Sequence, residues 1–426
     1  MQFNTIISRK WRGLFSKYFL GQGAAQLIQL ASGFLLIRWL DKGDYATYTL
    51  VMAILGTSSV LFSLGLSQCL TGLIGKRVND ANVVGRYIKA SKSLRNPLLA
   101  VGSIILFALF YSISEKFEWG GGLWCVLWLF VVSSLFFKMW EQVYSPILLL
   151  NQQIGRLYLL GLAGGSSRLL LILGTYLLSL FSVPVVLLYN VAQAALSSVG
   201  TYVMARSRVV VPLASESCAR ERSEILKLSL PKIPTSIFAA FSSQLIVFIV
   251  SILGTQGQLA EIGALTRLAM LFVVFKRFGS VMVTPYFAKL DFSVVPARLR
   301  MLLLAMGTLL LSVSLVTYVW PDPLLFLLGN DYGHLGFEVF LVVVLALTRV
   351  CNVQIVSVRN ARNYIFNWHS IAILVPQLCA IITGALIFDL GVLSNVLYFS
   401  LLISVTALTS NLAILWVGLQ RERRQT

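Results

Sequence analysis

The sequence predicts an all-α integral membrane protein of about 12 transmembrane helices, arranged as two six-helix lobes related by a pseudo-two-fold axis. Three observations carry that prediction. Apolar stretches of spanning length recur along the whole chain, the cations between them fall almost entirely on one side, and the two halves resemble each other faintly. Hydrophobic residues make up 58% of the chain and charged residues 12%, against about 25% charged in a soluble domain. A helix needs roughly 20 mostly apolar residues to cross a hydrocarbon core. Such stretches run over 19–38, 45–75, 97–114, 122–150, 157–181, 184–205, 230–253, 262–287, 299–320, 335–358, 368–388 and 392–418. The longer ones must tilt or include an interfacial turn.

Orientation follows from the cations, because loops rich in Lys and Arg stay on the cytoplasmic side during insertion. With the N-terminus inside, one side receives Arg9, Lys10, Arg12 and Lys17, then the run from Lys76 to Arg95, then Arg156. The same side receives the group from Arg206 to Lys227, then Lys289, Arg298, Arg300, Arg359 and Arg362, and the tail cations Arg421, Arg423 and Arg424. The opposite side keeps only Arg38, Lys42 and Lys116. Both termini are therefore expected in the cytoplasm, with no cleavable signal peptide at the start.

Composition excludes several classes. A net charge of +18 would suit nucleic acid, but here it is spread over short loops in the way insertion demands. No nucleic-acid partner is expected, and the cations near the membrane should meet lipid headgroups instead. Cys69, Cys125, Cys218, Cys351 and Cys379 have no ligand-like spacing, and His334 and His369 stand far apart. No metal site and no cofactor are expected. Outside loops are short apart from 115–122 and 321–336; the latter holds Asp322, Asp331 and His334 and reads as a re-entrant cap.

The longest polar stretches are 76–96, which reads as a surface-lying amphipathic helix, and 206–229, which lies near the midpoint and reads as a cytoplasmic linker. This divides the chain into an N-lobe, 1–205, and a C-lobe, 230–426. The loop Asp41-Lys42-Gly43-Asp44 after the first crossing has a counterpart in Thr255-Gln256-Gly257-Gln258 after the seventh. The offset is about 217 residues, as parallel repeats about an axis along the membrane normal require. Two such lobes would enclose a central cleft.

Lys138, Arg168, Lys232, Arg267, Lys276, Arg277 and Arg349 lie within the apolar stretches. A cation at mid-helix costs roughly 2.5–3.5 kcal/mol on insertion scales, so such residues turn toward water, protein or a counter-charge. The deep acid is Glu141, one turn after Lys138, where it can serve as counter-charge or as a coupling group. A positive interior suits an anionic cargo. Arg349, Arg277, Arg267, Lys276, Arg168 and Lys138 are the candidates to line it, Arg349 being too deep to snorkel. Arg267 and Lys232 can instead snorkel to an interface. Arg168, among Gly161, Gly164, Gly165, Ser166 and Ser167, can equally be a packing residue. At about 100° per residue, Lys276 falls nearly opposite Arg267 and Arg277 about 80° away, so the three cannot share one stripe. Gln22, Gln26 and Gln29 recur at helical spacing in the first crossing and can form a polar cleft wall or a packing face.

Short motifs carry a resemblance to a known family. Arg38-Trp39-Leu40 with Asp44-Tyr45-Ala46-Thr47-Tyr48, Leu228-Ser229-Leu230-Pro231, and Leu327-Leu328-Gly329-Asn330-Asp331-Tyr332 resemble signature segments of bacterial polysaccharide flippases. The chain thus resembles the Wzx-type flippases of the multidrug/oligosaccharidyl-lipid/polysaccharide (MOP) exporter superfamily. The resemblance implies a MATE-like fold in the bacterial cytoplasmic (inner) membrane. It implies transport, rather than enzymatic chemistry, of an undecaprenyl-pyrophosphate-linked oligosaccharide such as an O-antigen repeat unit. The partners implied are that lipid-linked oligosaccharide, membrane lipids, a polysaccharide polymerase and a chain-length regulator. The alternatives are a multidrug exporter of the same superfamily, whose site should be acidic, and a membrane polymerase or ligase of glycan assembly, which would need a larger outside loop.

Overall fold

A computed structural model describes residues 9–424 apart from 64–65, 76–79, 152, 211–217, 231–232, 279–282, 289, 363, 365 and 367. The chain divides into two compact units, Met1–Leu245 and Ile246–Thr426. The first holds helices α1 (Arg9–Trp39), α2 (Lys42–Ser63), α3 (Leu66–Gly75), α4 (Ala81–Ser114), α5 (Leu123–Leu150), α6 (Ile154–Leu177), α7 (Val183–Ala205), α8 (Ala219–Ser229) and the start of α9 (Ile233–Leu253). The second completes α9 and adds α10 (Gln256–Ala269), α11 (Val273–Phe278), α12 (Thr284–Ala288), α13 (Val295–Val319), α14 (Asp322–Leu328), α15 (Gly336–Ala361), α16 (His369–Ile387) and α17 (Leu393–Arg423).

Eleven helices among the described residues are long and apolar enough to cross a membrane. Their outward faces are themselves apolar, as with Leu170 and Leu177 on α6, Leu304, Leu311 and Leu315 on α13, and Leu386 on α16. In water such faces would drive aggregation; in lipid they are the solvated side. The chain is an all-helical, multi-pass membrane protein.

Each unit is organised on one central helix. In the first, α5 packs against α2, α3, α4, α6 and most extensively α7. In the second, α15 packs against α10, α11, α12, α13, α14 and most extensively α17. The fourth and tenth crossings thus do the same work, paired with the sixth and twelfth. The halves repeat in packing even where their sequences have diverged.

Local chemistry sets the element ends. Asp80 caps α4 by accepting from the Asn82 and Val83 amides at 3.1 Å. Thr255 and Gln258 form a reciprocal capping box at the start of α10, satisfying donors that a helix start leaves unpaired. Gly254 makes the preceding turn, where a Cβ would meet the Val250 carbonyl oxygen at 2.8 Å.

Two sequence expectations need correction here. The stretch 76–96 is not a separate surface helix, since its described part, from Ala81 on, continues through Pro97 as one helix of 34 residues. At 1.5 Å per residue that is about 50 Å, against about 30 Å of hydrocarbon, so the cation-rich end projects beyond the apolar slab. The eighth crossing is not one helix either. It breaks at a 3-10 turn, Met270–Phe272, between α10 and α11, then resumes as the short α12. The stretch 206–229 includes α8, which packs on α3 and α4.

Candidate functional site

The site is built from cations that the helices carry into their own interiors. In the first unit, α5 brings Lys138 and Glu141, α6 brings Arg168 and α2 brings Tyr48. Arg168 is 7% exposed, and its Nη2 donates to the Tyr48 hydroxyl at 3.0 Å. Lys138 lies in the electrostatic field of Glu141, Tyr48 and Arg168. This group therefore contains two cations, an acid and a hydroxyl. The small residues around Arg168 let α6 approach α7 closely, as where Gly164 meets Gln193 and Ser197.

In the second unit the balance differs. Arg349 on the central α15 donates from Nε toward Ser404 Oγ of α17 at 3.4 Å. Lys276 on α11 feels the charge of Arg349. Among the described residues neither is ion-paired with a carboxylate. Gln354 fastens α11 to α15 by donating to the Phe275 carbonyl at 2.8 Å, which sets the position of the neighbouring Lys276. Two adjacent cations held by a hydroxyl and a backbone anchor repel each other unless an anion sits between them. Phosphate oxygens fit such a pair, with Arg offering a planar fork and Lys a point charge.

The 3-10 turn changes how the eighth crossing presents its cations. Three residues at 3.0 per turn advance the phase by roughly 60° beyond an α-helix, so the angles expected among Arg267, Lys276 and Arg277 do not hold. Arg267 is half-buried, and its Nη1 reaches Met270 Sδ at 3.6 Å. The side chain of Arg277 lies outside the described residues, as does Lys232. Gln26 is buried and Gln29 exposed, so the two do not share one environment; the Gln22 side chain lies outside the described part.

Sequence reasoning missed other cations drawn into the protein, by placing Lys92 and Arg95 on a surface helix and Arg359 and Arg362 in a loop. Arg95 is 1% exposed and donates to the Met139 carbonyl at 3.1 Å. Lys92 lies over the Trp140 and Tyr144 rings, 4.5 and 5.0 Å from their centroids, and donates to the Tyr144 hydroxyl at 2.8 Å. Arg359 is buried against Asn411, which in turn donates to Asn352 at 2.8 Å. Arg362 and the Tyr364 hydroxyl both donate to Glu422. The signal that could have found them is the continuity of helical periodicity through 81–96 and up to 361. In the segment between α13 and α15, His334 meets Glu261 at 3.1 Å. Among the described residues no cluster of potential metal ligands occurs.

Membrane-length helices in two units, each with a cation on its central helix, make a polytopic helical bundle. Comparison with solved structures is specific about the fold. A multidrug resistance MATE family transporter of the MOP superfamily, in its inward-facing conformation, aligns with TM-score 0.67 at 16% identity, over 94% of this chain and 94% of that one. The outward-facing conformation of such a transporter aligns with TM-score 0.57 at 16% identity, over 96% and 93%. The Vibrio cholerae MATE transporter VcmN aligns with TM-score 0.59 at 14% identity, over 96% and 95%. No protein-family model and no curated protein matches the sequence. The chain has the MATE fold.

Proposed function

We propose that the protein is a membrane exporter, and that its cargo is an undecaprenyl-pyrophosphate-linked oligosaccharide moved between leaflets of the bacterial inner membrane, with both termini cytoplasmic. The observation that carries the cargo assignment is the Lys276–Arg349 pair, two cations from different helices with no carboxylate bound to either among the described residues. Pyrophosphate supplies the charge that such a pair lacks. The sugars would travel in a hydrated path, while the polyprenyl tail stays in lipid. Binding offsets the repulsion between the two cations, and that gain is what the cargo contributes toward a change of conformation.

The MATE fold suits a multidrug exporter equally well, and the acid in the first unit, Glu141, is the feature that favours it. The two readings separate by charge. An organic cation would be repelled by Lys276 and Arg349, whereas an anionic lipid would be attracted. Surface-glycan display in a strain dependent on this gene tests the choice. Arg349→Ala and Lys276→Ala should each abolish display at wild-type protein levels, and Glu141→Gln should change it less. Normal display from both cation variants would remove the anionic-cargo reading.

A further inference from the structure

We propose that α8 is an interfacial helix whose free flank rests on the anionic headgroups of the leaflet where α7 ends and α9 begins. The helix has eleven residues, about 16 Å of rise, too short to cross about 30 Å of hydrocarbon. It follows the spanning helix α7 and precedes α9, whose segment Ser236–Leu253 is of spanning character. Both its ends therefore stay at one face of the membrane.

Its faces are sorted accordingly. At about 100° per residue, Ile225 and Ser229 fall on one side, and both are buried. Ile225 and Cys218 join the apolar cluster that includes Tyr87, Ile88 and Tyr144. Glu224 accepts from the Tyr87 hydroxyl at 2.5 Å and from Arg220 at 3.0 Å, so this acid is already engaged. One adjoining flank carries Arg222 with Leu226 and Leu230, the two leucines 37% and 57% exposed, and Leu228, 48% exposed, lies on the other flank beside Glu224. Arg220, Ser223 and Lys227 point away from the buried side and are exposed. Exposed leucines beside cations, on a helix fastened to protein by its opposite face, match an anionic lipid surface in both apolar and charged character. The occupant is the leaflet itself, because the flanking spans bring the helix to it.

The test uses the full chain with its five native cysteines replaced, in nanodiscs of phosphatidylcholine with or without phosphatidylglycerol and with brominated acyl chains. A fluorophore on Leu226→Cys should be quenched at least about twofold more than one on Leu228→Cys, on the other flank. The excess should fall by about half or more without phosphatidylglycerol, and likewise in the Arg222→Gln, Lys227→Gln double variant. The charge-preserving Arg222→Lys, Lys227→Arg variant should restore it. Equal quenching at the two positions, or indifference to phosphatidylglycerol, would overturn the proposal. The lipid-composition arm decides even if the glutamine variant does not fold.

Discussion

Arg168 and Arg349 look alike in the sequence, each a cation in mid-helix, and they differ in what surrounds them. Arg168 gives its Nη2 to the Tyr48 hydroxyl among packed helices, near the field of Lys138 and Glu141. A hydrogen bond to a charged group contributes about 1.5–3 kcal/mol, so Tyr48→Phe should lower thermal stability by an amount in that range, read by melting in detergent. Arg349 has a hydroxyl and a neighbouring cation instead. Arg349→Ala should leave folding nearly unchanged while transport is lost. Tyr364, in the loop after α15, is pushed up from its ordinary value near 10.0 by burial, with Arg362 acting in the opposite sense. A raised folded-state value means that its contribution is complete below the unfolded value and is lost as pH rises through the folded one. Alkaline titration of stability should therefore lose a component in Tyr364→Phe. Lys138, Arg168, Lys276 and Arg349 were legible in the sequence because apolar neighbours make a cation conspicuous. Arg95, Arg359 and Arg362 were not, because polar surroundings made the ends of spanning helices look like separate surface segments.

At the scale of the element, the spans were legible because a run of about 20 apolar residues has one physical solution in lipid. Breaks inside a span were not. Met270-Leu271-Phe272 carries neither Gly nor Pro, yet forms the 3-10 turn that separates α10 from α11. What places α11 is a tertiary contact, the Gln354 side chain on the Phe275 carbonyl, and no local pattern announces it. Gln354→Leu should loosen α11 and weaken cargo handling through Lys276. It should raise the apparent KM more than it lowers maximal transport, and an unchanged KM would show that the anchor does not position Lys276. Close approach matters at the far end of α17. A Cβ on Gly418 would come within 2.4 Å of the Tyr364 ring, whose hydroxyl bonds Glu422. Gly418→Val should destabilise by about 1–3 kcal/mol, as overpacking does, measured as a fall in melting temperature.

For the whole molecule, the repeat is better preserved in packing than in sequence. The central helices α5 and α15, the fourth and tenth crossings, each pack most extensively on the sixth or twelfth crossing and each carries a mid-helix cation, Lys138 or Arg349. The two sites differ in charge, with Glu141 and Tyr48 accompanying the cations of the first unit and Ser404 bonding Arg349 in the second. Halves with different electrostatics suit different tasks, and the proposed function gives the anion-binding task to the second. The most direct measurement is the sidedness of lipid-linked oligosaccharide in a strain whose glycan gene cluster lacks this gene. Accumulation is expected on the cytoplasmic face, cleared when the protein is restored and not cleared by the Arg349→Ala variant. Accumulation of single, unpolymerised units on the outer face would contradict it, because the translocation step would then be intact without this protein.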